Sequence, residues 1–169
     1  MDETTPQKYT IAHFAAQNGN LDIVKYVVEK DASVLTRKVK DLSWGETLKN
    51  TIAQIATEAR KWNVLLYVIE KDASLLASKD EYFGDNILHQ AVRRGIDMET
   101  FKILVEEKGL SLTDTNSFNQ TIAHIASREH NLDIIRYLCE KQPSILWKED
   151  SEHYTPGLIA AIKMYWDIV

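Results

Sequence analysis

The chain has 169 residues, 44% hydrophobic and 27% charged, a balance that excludes disordered and collagen-like polymers and fits an ordinary globular protein. Its 20 basic and 25 acidic residues give a net charge of −5 with the signs interspersed, so the concentrated basic surface that nucleic acid requires is not expected. No apolar run approaches the roughly 18 residues of a membrane span, the polar start MDETTPQKYT lacks a secretory pattern, and the single cysteine, Cys139, can form no internal disulfide; an intracellular, reducing setting is the expectation.

The first motif in chain order is Thr10-Ile11-Ala12-His13-Phe14-Ala15. Its threonine offers an N-cap hydroxyl to a short helix, and Gly19 allows the chain to turn afterwards. From Leu21 to Lys30 apolar residues recur at i, i+3 and i+4, the spacing of a second helix with one buried stripe. Asp31-Ala32-Ser33-Val34-Leu35 ends it, with Ser33 read as a turn residue and the two aliphatics returning to the core. A connector, 36–50, then leads to Thr51-Ile52-Ala53-Gln54-Ile55-Ala56 and a helix from Trp62 to Lys71. The pattern returns as Asn86-Ile87-Leu88-His89-Gln90-Ala91 with Met98 to Lys108, and as Thr121-Ile122-Ala123-His124-Ile125-Ala126 with Leu132 to Lys141. It opens a fifth time at Thr155-Pro156-Gly157-Leu158.

The openings are spaced by 41, 35, 35 and 34 residues. The second unit is the most divergent, with Gln54 for His and Arg60 for Gly, and the third has one extra residue around Gly95 to Met98. Ser74 and Ser144 stand where Ser33 does, as further turn residues.

This register resembles the ankyrin-repeat family, whose T-P-L-H-x-A signature opens a 33-residue unit. Thr10-Ile11-Ala12-His13, Thr121-Ile122-Ala123-His124 and the stretch Asn131-Leu132-Asp133-Ile134-Ile135-Arg136-Tyr137-Leu138 carry the resemblance most specifically. It implies an all-α solenoid of helix-turn-helix units with β-turn fingers, in one domain spanning 1–169. The repeats would run about 5–38, 46–80, 81–115, 116–149 and, in part, 150–169. Ile replaces the signature Pro in the first four units, which costs some rigidity in the first helical turn. Stacked hairpins share one core, and a natural end is polar. The fifth unit instead carries Ile162, Met164, Tyr165 and Trp166 near its end. The chain is therefore expected to be a fragment of a longer protein, or else to be capped in an unusual way by its last helix.

No residue is assigned a catalytic, cofactor-binding or metal-binding role. His13, His89 and His124 occupy the same repeat position, a ladder too widely spaced to share a metal, and the resemblance gives them a structural hydrogen bond to turn backbone. Cys139 falls where Val28, Ile69 and Val105 fall in other units and is expected to be a buried small hydrophobe. Glycine-rich phosphate loops, HExxH, CxxC and EF-hand patterns do not occur. Asp80, Glu81 and Asp85 read as a solvated turn rather than a calcium site.

Family members bind partners in the concave groove formed by first helices (the palm) and connectors (the fingers). Carried over by register, the palm positions include Arg93, Arg94, Arg128 and Glu129, and the finger tips include Tyr82, Phe83, Asp85, Phe118, Gln120 and Tyr154. Aromatics and Arg are the residue types most enriched among interface hot spots. The expected function is therefore a non-enzymatic protein-interaction module, a scaffold, inhibitor or recruiting arm, that grips an acidic or extended protein segment over units three and four. The alternative is a substrate-recruiting part of a larger enzyme, toxin or bacterial effector whose chemistry lies outside these residues. Trp44, in the long connector, either extends the groove or simply covers the divergent second unit.

Overall fold

The computed structural model describes residues 9–40 and 49–163. The chain divides into two compact units, Met1–Tyr82 and Phe83–Val169.

In the first unit, helices α1 (Ile11–Asn18) and α2 (Leu21–Lys30) form one hairpin, and α3 (Ile52–Glu58) and α4 (Trp62–Lys71) form the next. Helix α1 starts where Thr10 bonds to His13: its main-chain N–H donates to Nδ1 at 3.3 Å and its Oγ1 lies 2.6 Å from the same nitrogen. Gly19, at φ 79°, stops it, and Asn20 opens α2 by accepting from the Ile23 N–H at 3.2 Å. Helix α1 packs along α3 and α2 lies against α4. Ala12, Ala16, Val24, Ile52, Ala53, Ala56, Leu65 and Val68 are thereby removed from solvent. A two-residue antiparallel pair, β1 (Val39–Lys40) and β2 (Lys49–Asn50), joins the two ends of the long connector, with Val39 opposite Asn50.

The second unit holds α5 (Ile87–Arg93), α6 (Met98–Lys102), α7 (Ile122–Arg128), α8 (Leu132–Lys141) and α9 (Pro156–Ile162). Ile96, in the turn that carries the extra residue, is buried. Helix α6 runs on into a π-turn, Ile103–Glu107. Phe101 stands edge-on to Tyr137 with ring centres 5.4 Å apart, and the Tyr137 hydroxyl donates to Glu106 at 2.9 Å. Burial, and then the Glu106 carboxylate, push the Tyr137 pKa up to about 12, so this phenol stays a neutral donor at any physiological pH.

Two expectations gain detail and one is overturned. Ser33, Ser74 and Ser144 belong to 3₁₀ turns, Ala32–Val34, Ala73–Ala77 and Pro143–Trp147; in the first two, Asp31 and Asp72 act as caps, accepting from the Ser33 and Ser74 N–H groups at 3.0 and 2.9 Å. In repeats two to four, isoleucine at the proline position is a gain in core area as well as a loss of rigidity, because Ile52, Ile87 and Ile122 are all 0% exposed. Cys139 is exposed. Equivalence with Val28 failed as a guide because α4 lies against α2, whereas no second helix of the fifth repeat stands beside α8 among the described residues.

Candidate functional site

The finger turns of the second unit are built from side chains that imitate backbone. Asn116 Oδ1 accepts from the N–H groups of Phe118 and Gln120, both at 3.0 Å, and Asp150 Oδ1 accepts from those of Glu152 and Tyr154 at 2.9 and 3.0 Å. Each turn passes through one left-handed residue: Gly84 (φ 66°), Asn119 (56°) and His153 (63°). Neighbouring fingers are then tied together through the main chain. The Ser117 N–H donates to the Phe83 carbonyl at 2.8 Å, the Ser151 N–H to the Phe118 carbonyl at 3.0 Å, and Asn119 Nδ2 to the Glu149 carbonyl at 2.9 Å. A β-carbon on Gly84 would come within 2.2 Å of Ser117 Oγ and 3.0 Å of its nitrogen, so this close approach requires glycine.

Histidines strap the fingers to the helices beneath. His89 Nε2 reaches the Gln120 carbonyl and His124 Nε2 the Tyr154 carbonyl, each at 3.1 Å. In the first unit His13 Nε2 reaches the Arg37 carbonyl at 3.3 Å. Nδ1 of His124 accepts from the Thr121 N–H at 3.0 Å, so the neutral tautomer that fits carries its proton on Nε2. Burial lowers the pKa of all three rings, against the upward pull of the backbone carbonyls and, at His89 and His124, of nearby carboxylates. Burial alone would raise Asp150, yet the bonds from the Gln120 side chain and the Tyr154 and Glu152 amides bring it below the ordinary carboxylate value.

On this frame the Phe83 and Phe118 rings sit 6.0 Å apart, and the Arg93 guanidinium lies 4.8 Å from the Phe83 ring centre. Arg93 also grips Asp85 Oδ2 through Nη2 at 2.6 Å and Nε at 3.1 Å, while Asn116 Nδ2 donates to the other oxygen at 2.8 Å. Gln120 joins Asp150 Oδ2 (3.1 Å) to Arg128 Nη1 (3.3 Å).

A family model described as ankyrin repeats in three copies matches residues 54–150 and 88–169, and one described as a single ankyrin repeat matches residues 7–38. The chain belongs to the ankyrin-repeat family. No individual curated protein matches it. Ankyrin repeats are generally protein–protein interaction modules and typically non-catalytic, and the all-α helical-repeat fold class read from the sequence is the one observed. Among the described residues no three His, Cys, Asp or Glu are grouped to hold a metal ion, and no helix is long and apolar enough to cross a membrane.

The ankyrin register puts most of the expected residues on the surface, but not all in the expected state. Phe83 is 37% exposed and Phe118 45%. Glu129 is exposed; Arg94, Gln120, Arg128 and Tyr154 are half-buried. Tyr82, the last residue of the first unit, is 69% exposed, and its N–H donates to Asp80 Oδ1 at 2.8 Å. Asp85 is a correction: at 1% exposure it is no finger tip but the buried counter-ion of Arg93. Its position before the helix cap brings it over the end of α5, where Arg93 and Asn116 satisfy both carboxylate oxygens. That pairing also cancels the charge expected of Arg93 on the palm. Trp44 lies outside the described residues. Sequence reasoning missed Asn116 and Asp150 as finger anchors, although each stands five positions before its repeat's threonine, Thr121 and Thr155, and that spacing was available to find them.

Proposed function

We propose that this ankyrin module binds an extended protein segment across the palm and fingers of repeats three and four, with Phe83 and Phe118 as apolar anchors and an acidic group of the partner facing Arg128. The observation that carries the reading is the exposed Phe83–Phe118 pair on adjacent fingers already fixed by backbone hydrogen bonds. Such anchors lose little entropy on binding, which concentrates affinity in a few side chains. Arg128 supports the acidic preference because it donates to the neutral Gln120 amide, whereas Arg93 is neutralised within the fold. Glu129 beside it and the half-buried Tyr154 would form the rim, where charge selects among partners more than it adds affinity.

The test is to identify a partner by affinity capture and crosslinking, then measure its Kd by calorimetry. Phe83→Ala with Phe118→Ala should weaken binding by about 100-fold, and Arg128→Ala by about 10-fold with a reduced salt dependence. Unchanged affinity in the double phenylalanine variant, or in a Tyr82→Ala, Phe83→Ala, Arg94→Ala triple variant, would remove this face as the binding site.

A further inference from the structure

The first repeat carries a face that every comparable repeat keeps buried. Ile11, Phe14 and Ile23 are 71%, 53% and 40% exposed. Their counterparts in repeat two, Ile52, Ile55 and Val64, are at most 2% exposed, and those in repeat four, Ile122, Ile125 and Ile134, are 0% exposed. What covers the counterparts is the hairpin before them: α1 lies along α3 in the first unit, and α5 along α7 in the second. Repeat one thus presents the back of an interior repeat, at the register where another repeat would stack.

A matching front face exists in the second unit. His13, His89 and His124, which face forward to the next finger, are 0% exposed, whereas Leu158 at the same position is 45% exposed. Ala161 is half-buried where Ala16, Val92 and Ser127 are 0% exposed. A β-carbon on Gly157 would meet nothing within 4 Å. The exchange of His for Leu has a chemical consequence. A forward-facing His must find a carbonyl in whatever stacks on it, or its N–H is buried unpaired; Leu158 makes no such demand and accepts any apolar cover.

We propose that two copies of this chain stack end to end, the Ile11, Phe14 and Ile23 face of one seating on the Gly157, Leu158 and Ala161 face of the other. The contact is heterologous, since each copy has one face of each kind, so it builds rings or open chains of copies rather than a symmetric pair. This contact is independent of the partner site on repeats three and four.

Sedimentation of the purified 169-residue chain over a hundredfold concentration range tests it. The weight-average mass should rise steadily beyond that of one chain. Phe14→Glu and Leu158→Glu, both at exposed positions and both checked for unchanged helicity and melting, should each give a single-chain mass, with association weakened at least about 30-fold. An equimolar mixture of the two variants should then form a dimer and nothing larger, because one variant keeps an intact front face and the other an intact back face. A wild type that stays at the mass of one chain at every concentration overturns the proposal. So does a Leu158→Glu variant that still dimerises, which would mean symmetric pairing of the first repeats, and so does a mixture that remains monomeric.

Discussion

Repeats two and four follow one plan, a capped first helix, a left-handed turn and an outer helix closed by a 3₁₀ turn, yet they hold their polar groups differently. In repeat four, His124 closes the helix start through Nδ1 and ties the next finger through Nε2. In repeat two, Gln54 closes the start equally well, its Oε1 accepting from the Thr51 N–H at 2.9 Å, but its buried Nε2 finds no partner among the described residues. An amide can therefore replace the histidine as a local cap. It does not replace it as a strap, because the two functions need a rigid ring with nitrogens on opposite sides.

The straps should fail hardest where the fingers touch. Gly84→Ala forces a left-handed residue with a β-carbon into Ser117, and a loss of about 3 kcal/mol in urea unfolding is expected, with early hydrogen exchange at the Ser117 amide. His124→Gln turns repeat four into a copy of repeat two; leaving the strap unmade should cost about 2 kcal/mol, and a cost near zero would mean that Gln54 loses nothing by its unpaired amide.

The same difference predicts a pH response. Because burial lowers the folded pKa of His13, His89 and His124 below the ordinary 6.5, the unfolded chain binds more protons in the window beneath that value. The histidine contribution to stability should be fully present above pH 6.5 and be lost as the pH drops below it towards the folded values, before the lowered carboxylate of Asp150 begins to protonate. Urea midpoints at pH 7.5 and 5.5 would show the slope, and His89→Gln with His124→Gln should flatten much of it, since glutamine does not titrate. The smallest effect concerns what the two repeats share: Arg60 (φ 57°) and His130 (φ 55°) both occupy the left-handed turn that Gly19 and Gly95 fill elsewhere. Arg60→Gly should raise stability by about 0.5–1 kcal/mol, read as a higher melting temperature.

Much of the fold was legible because its signals are local and repeated. The threonine caps, the i, i+3, i+4 stripes and the histidine register each depend on residues a few positions apart, and several copies reinforced one another. The site was less legible. Phe83 and Phe118 could be assigned to finger tips by register alone, but Asp85 could not be told from an exposed turn residue, since its burial depends on Arg93, eight residues on, and Asn116, a repeat away. Cys139 was misread for the complementary reason: its repeat position predicts burial only where a following outer helix covers it.

What the sequence determined by itself is thus the unit, its helices and caps, and the family, all set by hydrogen bonds and apolar spacing within some 35 residues. Only the tertiary structure decided which charges are cancelled, which aromatic rings meet, and which apolar faces remain uncovered. Those outcomes depend on side chains from neighbouring repeats arriving within a few ångströms, and no periodicity along the chain encodes that distance.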